Sequence, residues 1–152
     1  MPELKEKRDT DEATFFCEIY KTAKMGADAI IHLLPHVKDD GMRSVMTMQL
    51  DGYEKYAARA ATALEERGIE AKEENLFTRL TARMGVAINT MIDSTTSHIA
   101  EMMIEGSNMG ITDMTKLLNE HQTRSGSKGA VRLAREVVEF EEHNLEMLKR
   151  YL

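Results

Sequence analysis

Three carboxylates and one histidine lie on apolar helical stripes, and their types and spacing suit them to chemistry. At about 100° per residue, Glu141 falls within about 40° of four apolar residues: Ala134, Val137, Leu145 and Leu148. On a second stripe, His98 is central, Glu101 lies at the edge and Glu105 lies further along the same face. Facing carboxylates and a histidine inside a helical bundle are typical ligands of iron, manganese or zinc.

Two interpretations of these residues stay open at the level of sequence. An unpaired buried carboxylate is costly, so Glu141 needs a partner, a metal ion or water. In the functional interpretation, Glu105 lies level with Glu141, because both are equally far from the loop at 120–127, and the two share a metal ion. In the structural interpretation, Glu141 bonds to an Arg, Lys or Thr or lies at a helix end reached by water, and His98 bonds to Thr95 or to a helix carbonyl.

The composition indicates a helical scaffold for these side chains. The chain has 152 residues, 42% of them apolar, with two prolines, nine glycines and no tryptophan. Alanine, glutamate, methionine, leucine and lysine are abundant, and these residues favour helices. A chain of this length typically forms one domain. We therefore expect a single domain over 1–152 with a flexible N-terminus at 1–10, and we exclude an all-β fold.

Hydrophobic periodicity predicts an all-α, up-down-up-down four-helix bundle. The predicted helices are Asp11 to Lys38, Met42 to Arg67, Asn75 to His121, and Lys128 to Leu152. The third is unusually long, and we expect a kink or break at Gly106–Gly110 because glycine is costly within a helix. Counting from the first turn predicts that the Tyr53 ring packs against Gly26, with Gly85 or Ala87 also near it.

The four helices, together with the segment His98-Ile-Ala-Glu101-Met-Met-Ile-Glu105-Gly-Ser-Asn-Met-Gly, resemble the ferritin-like superfamily. That resemblance implies a di-iron oxidase or peroxidase. The metal ligands of such an enzyme are a Glu on one helix and Glu-x-x-His on the next, and the other two helices repeat this ligand set. This chain departs from that pattern, because the inner positions of its second helix include Gln49 and Tyr53. No Glu-x-x-His occurs at an inward position, so the full ligand set is not carried over.

Three hypotheses for function follow. The first is a non-catalytic bundle that acts through self-association or by binding another protein, without catalytic residues. The second is a metal protein in which Glu141, Glu105, Glu101 and His98 bind iron, manganese or zinc, and which as an enzyme would be a di-metal oxidoreductase. The third is a protein that binds a small apolar ligand in a methionine-lined channel, because twelve methionines supply a methionine-rich core.

The remaining expectations concern partners and compartment. The overlong third helix favours a homodimer that covers its apolar length. A net charge of −6 argues against a nucleic-acid partner. The single cysteine, Cys17, forms no internal disulfide. We expect a cytoplasmic protein without membrane contact, because the N-terminus lacks an apolar segment and no stretch approaches about 20 apolar residues.

Overall fold

All regular secondary structure in the described part of the chain is helical. A computed structural model describes residues 2–72, 76–84, 95–121 and 128–152. Five α-helices and two short 3₁₀ turns are present there: α1 (Pro2–Leu33), a turn at Leu34–His36, α2 (Asp40–Glu65), α3 (Leu76–Met84), α4 (Thr96–His121), α5 (Lys128–Leu148), and a turn at Lys149–Tyr151. The long helices α1, α2, α4 and α5 form a four-helix bundle, and α3 packs on α1. The predicted all-α bundle is confirmed.

The first hairpin is set by local chemistry at its turn. Leu33 ends α1, because Pro35 follows within the 3₁₀ turn and cannot continue an α-helix. Asp39 then caps α2, since its Oδ1 accepts a hydrogen bond from the backbone N–H of Met42 at 2.8 Å. At its other end α1 begins at Pro2, so residues 2–10, predicted to be a flexible terminus, are helical.

Two apolar clusters occupy the two ends of the bundle. The cluster toward the start of α1 includes Phe15, Phe16, Leu64, Leu76, Met114 and Leu133. The cluster toward the end of α1 includes Ile30, Met42, Met46, Ile99, Met103 and Leu148. The chain therefore runs from the first cluster to the second in α1 and α5, and in the opposite direction in α2 and α4.

The order of helix directions is thus up-down-down-up, and the predicted up-down-up-down order is wrong. The Phe15 and His121 rings lie 4.9 Å apart, which places the end of α4 beside the early part of α1. The end of α2 and the start of α4 therefore lie at opposite ends of the bundle, and the connection between these two helices, which includes α3, joins those ends. One long crossover of this kind characterises ferritin-like bundles.

The single long third helix that we predicted from Asn75 to His121 is also wrong. A new helix begins at Thr96, because Thr95 Oγ1 accepts a hydrogen bond from the backbone N–H of His98 at 3.2 Å, as an N-cap does. Residues 85–94 of the predicted helix lie outside the described residues, as does Asn75. Within α4 the helix continues without interruption through Gly106–Gly110, so the break predicted there does not occur.

Tertiary contacts explain two of the helical glycines. A Cβ at Gly110 would collide with the carboxyl group of Glu141, so glycine allows α4 and α5 to approach closely. A Cβ at Gly26 would lie 2.6 Å from Cδ1 and 2.7 Å from Cζ of Tyr53, which confirms the predicted packing of that ring. Gly85 and Ala87, also expected near the ring, lie outside the described residues. No helix among the described residues is long and apolar enough to cross a membrane.

A matched pair of glycine substitutions tests this packing. We expect Gly26→Ala to lower the free energy of unfolding by about 1–3 kcal/mol, because the new methyl group displaces the rigid Tyr53 ring. Gly106→Ala should raise it by about 0.5–1 kcal/mol, since a Cβ there meets nothing within 4 Å and alanine favours the helix. Urea unfolding measures both. Equal stabilisation by the two substitutions would show that the contact between Gly26 and Tyr53 is not tight.

Candidate functional site

The centre of the bundle contains five buried polar side chains, which we call the central polar cluster: Gln49, Tyr53, Ser107, Glu141 and Asn144. Gln49 and Tyr53 lie about one turn apart on α2, Ser107 comes from α4, and Glu141 and Asn144 come from α5. Each lies on the inward face of its helix, where apolar side chains precede and follow it. The cluster is therefore a polar layer between the two apolar clusters.

Glu141 is the dominant group of the central polar cluster, and only 1% of its surface is exposed. Burial raises the pKa of its carboxyl group from the ordinary 4.5 to about 8, and a hydrogen bond from the Tyr53 hydroxyl opposes that rise. The carboxyl group is consequently mostly protonated at neutral pH. Protonation removes the charge and makes Glu141 a hydrogen-bond donor as well as an acceptor.

The Tyr53 ring is held rigidly beside this carboxyl group. It packs on Gly26 on one side and meets Phe140 edge-on, with the ring centroids 4.9 Å apart. Burial and the negative charge of ionised Glu141 raise the pKa of the Tyr53 hydroxyl well above its ordinary value. Nearby Ser107 and Asn144 oppose that rise only in part. Tyr53 therefore stays neutral and serves as a hydrogen-bonding group.

Several polar atoms of the central polar cluster have no hydrogen-bond partner in the described structure. Two such atoms are Gln49 Oε1 and Glu141 Oε1, whereas the Ser107 and Asn144 side chains lie within hydrogen-bonding reach of the Tyr53 hydroxyl. The amide of Gln49 makes one long contact, from Nε2 to the backbone oxygen of Asn144 at 3.5 Å. Buried polar atoms without partners are uncommon and each costs stability, so such a group points to a bound molecule or to function.

A cavity of about 40 Å³ lies beside the central polar cluster, between α1 and α4. Four buried side chains supply polar lining, namely Thr22, Tyr53, Ser107 and Glu141. Four methionines also line the cavity: Met25, Met102, Met103 and Met109. Arg83 and Asp113 lie at its wall, where a two-pronged ion pair with N–O distances of 2.6 and 3.2 Å joins α3 to α4. The site thus combines an apolar lining with a few hydrogen-bonding groups.

The four predicted metal ligands occupy two different places. Glu141 is central and buried, whereas Glu105 and Glu101 are exposed and border a surface depression. His98 Nδ1 lies 3.6 Å from Glu101 Oε2, so these two form a pair near the start of α4. Ser107 and Gly110, rather than Glu105, are the α4 residues beside Glu141. In the described ranges no three His, Cys, Asp or Glu side chains are placed to hold a metal ion, and the four-residue metal site stays a prediction.

Sequence reasoning missed Ser107 and Asn144 as members of the central polar cluster. Asn144 lies three residues after Glu141, which places it on the same face of α5. Ser107 lies three residues before Gly110, where α4 approaches α5 closely. Their angular positions were available from the sequence. Small neutral polar residues, however, are less conspicuous on an apolar stripe than a carboxylate.

The raised pKa of Glu141 predicts a pH-dependent stability. Because the folded state holds the proton up to about pH 8 and the unfolded chain releases it near pH 4.5, stability falls as pH rises between these values. The fall attributable to Glu141 is about 1.4 kcal/mol per pH unit. Denaturant unfolding between pH 5 and 8 should show this slope in the wild type and its loss in Glu141→Gln. Exposed Glu142→Gln is the control, and a wild-type slope in Glu141→Gln would contradict the assignment.

Comparisons with known proteins identify the architecture. No protein-family model matches the sequence, and a search of the curated proteins finds no match either. Among solved structures, the chain is similar to a dodecameric thioferritin, the bacterioferritin-related protein from Bacteroides fragilis. The two share 10% sequence identity and a TM-score of 0.73, over 94% of this chain and 84% of the other. At this identity the likeness concerns the fold, and this chain has a ferritin-like fold.

Proposed function

We propose that this chain is a non-catalytic ferritin-like bundle that acts through self-association. The observation that carries the non-catalytic part is the composition of the central polar cluster. Glu141 is its one carboxylate, and the other four members, Gln49, Tyr53, Ser107 and Asn144, are neutral. A di-iron centre in a ferritin-like bundle uses a Glu from each of two helices and Glu-x-x-His from each of the other two. The described residues at this centre do not match that set.

The protonation of Glu141 supports the same proposal. A carboxylate must lose its proton to bind a metal ion, and the pKa of about 8 opposes that loss at neutral pH. Tyr53, which lies against Glu141, also resists ionisation because burial raises its pKa. The centre therefore favours neutral hydrogen bonding over the anionic ligands that two metal ions need.

Self-association is supported by the fold and by exposed apolar side chains. The similar protein is described as dodecameric, and that state is a property of that protein. On this chain, Met48 is 68% exposed on α2, and Ile31 on α1 and Leu152 at the C-terminus are also exposed. Burial of these apolar side chains against a second copy of the chain would stabilise the assembly. We propose a homodimer as the minimal assembly.

Metal binding is the second candidate function. Glu141 Oε1 lacks a partner within the described structure, and the similar protein is named a thioferritin. Glu105, Glu101 and His98 would supply the other ligands to iron, manganese or zinc. Because His98 and Glu101 lie together on the surface of α4, a second subunit would have to complete a site there.

Iron loading separates the two candidates. Untagged protein, purified without chelator, is exposed to excess ferrous iron without oxygen, desalted and measured by elemental analysis. We expect less than about a tenth of an equivalent per chain, because the centre lacks anionic ligands. After admission of air, ferrous oxidation should be no faster than in a protein-free control.

The controls for this experiment are Glu141→Ala and His98→Ala. Near-stoichiometric iron, manganese or zinc that is lost in Glu141→Ala would establish the metal function and refute the non-catalytic proposal. Loss only in His98→Ala would assign the metal to the pair of His98 and Glu101 at the surface. In both cases the circular dichroism spectrum of the variant must match that of the wild type.

Sedimentation velocity tests the proposed assembly. We expect the wild type to sediment at micromolar concentration as a dimer or larger species. Met48→Glu should shift it toward monomer, because a charge opposes burial of that surface. Thr115→Glu, exposed on α4, adds the same charge elsewhere and serves as the control. A monomeric wild type would refute self-association, and an unchanged Met48→Glu variant would exclude this surface from the interface.

A further inference from the structure

We propose that the cavity beside Glu141 is a hydration site whose entrance is held by an ion pair. It binds a short chain of about three waters that runs from Glu141 to the pair of Arg83 and Asp113, and this pair limits exchange with solvent. The proposal goes beyond self-association and does not depend on it. It rests on the size of the cavity, on the polar groups along it and on the position of the ion pair.

The size of the cavity suits water. Its volume is about 40 Å³, and one buried water needs about 10–15 Å³ of such space. About three waters therefore fit. A larger organic molecule does not, since a cavity that accepts benzene measures roughly 150 Å³.

Glu141 supplies the inner end of the chain of waters. Its Oε1 atom is buried, lacks a partner within the described structure and belongs to a residue that lines the cavity. The hydroxyl groups of Thr22 and Ser107 belong to buried residues that line the same space. Ser107 lies within hydrogen-bonding reach of the Tyr53 hydroxyl, but a hydroxyl group has one donor and two acceptor sites, so it can also bind a water. A buried water typically makes about three hydrogen bonds, and these groups supply them.

The ion pair of Arg83 and Asp113 supplies the outer end. Among the described residues that line the cavity, Arg83 is the exposed one, so it marks the side of the cavity that faces solvent. Asp113 accepts both of its hydrogen bonds, at 2.6 and 3.2 Å. A carboxylate has about four acceptor sites, so Asp113 can also accept a hydrogen bond from a water.

The two ends are close enough for water to connect them. A Cβ at Gly110 would meet the carboxyl group of Glu141, and Asp113 follows three residues later on the same face of α4. Residues with this spacing lie about 5–6 Å apart. One water spans about that distance, because each of its hydrogen bonds is about 2.8 Å long. Met102 and Met103 offer only thioethers, so they confine the waters to the polar side of the cavity.

The ion pair can open without unfolding of the bundle. The helix α3 has nine residues and is too short to be stable alone, so it depends on its contacts with the bundle. These contacts include the buried side chain of Leu76 and the pair of Arg83 and Asp113. A partly exposed ion pair contributes little to stability. The Arg83 side chain can therefore leave Asp113 while Leu76 keeps α3 in place, and the entrance then admits water.

Nuclear Overhauser effects from water to the protein test the hydration site in the full-length wild type, labelled with ¹³C at the methionine methyl groups. Met102 and Met103 line the cavity, whereas Met42 and Met46 are fully buried elsewhere. We expect effects of the sign that long-lived waters produce at Met102 and Met103, and none at Met42 and Met46. This measurement needs no variant.

Oxygen-17 relaxation dispersion of the solvent counts long-lived waters and is insensitive to exchanging hydroxyl protons. Glu141→Leu should hold about one or two fewer such waters than the wild type, because leucine offers no hydrogen bond at the inner end. Glu142→Leu alters an exposed residue of the same helix and should leave the number unchanged.

Oxidation of methionine by hydrogen peroxide, a molecule of two non-hydrogen atoms, tests the entrance. We expect Arg83→Ala to accelerate the oxidation of Met102 and Met103 about two- to fivefold, because loss of the ion pair favours the open entrance. Mass spectrometry of peptides measures both rates. Arg59→Ala is the matched control, since Arg59 forms a two-pronged ion pair with Glu136 away from the cavity and is as exposed as Arg83. It should leave both rates unchanged.

Absence of water effects at Met102 and Met103 in the folded wild type would overturn the proposal. An unchanged number of long-lived waters in folded Glu141→Leu would overturn the assignment of the inner end. For the entrance, the contradicting results are a wild-type oxidation rate in Arg83→Ala, or an acceleration that Met42 and Met46 share, because the latter indicates general loosening of the bundle.

Discussion

The burial of one carboxyl group between α4 and α5 constrains the whole centre of this bundle. The Glu141 side chain lies against the backbone of α4 at Gly110, where no Cβ fits, so the helix spacing and the carboxyl position are linked. The same carboxyl group contacts the Tyr53 hydroxyl from α2, and the Tyr53 ring in turn requires Gly26 on α1. All four bundle helices are therefore tied to one buried group through two close glycine contacts.

The chemical character of the centre follows from that burial. Desolvation disfavours the charged form of a carboxyl group, and no buried cation accompanies Glu141 in the described structure. The surrounding polar residues are a phenol, a hydroxyl and two amides, which exchange hydrogen bonds without carrying charge. A ferritin-like fold thus surrounds a neutral hydrogen-bonding centre, and fold alone does not determine the chemistry of its interior.

Sequence reasoning succeeded where one helix face determines the outcome. Glu141 was predicted to face inward because four apolar residues share its arc, and Tyr53 was predicted beside Gly26 because the short turn fixes the register of α1 and α2. The sequence-based predictions were wrong where contacts between residues distant in sequence determine the structure, as they do for the direction and the start of α4. The apolar stripe of α4 looks the same for either helix direction. Of the two glycines that suggested a break, Gly110 allows a close helix contact instead, whereas a Cβ at Gly106 would meet nothing. Thr95 lies on the stripe although it caps a helix.

The crossover between α2 and α4 has a consequence for how the chain reaches its folded state. The helices α1 and α2 are joined by a short turn, and α4 and α5 are separated by few residues, so the contacts within each pair are local in sequence. Local contacts form quickly, whereas joining the two pairs requires closure of the long segment 66–95. Gln49 and Tyr53 belong to the first pair, and Ser107, Glu141 and Asn144 to the second. The neutral centre therefore combines residues of both pairs and is complete only when the two pairs are packed together.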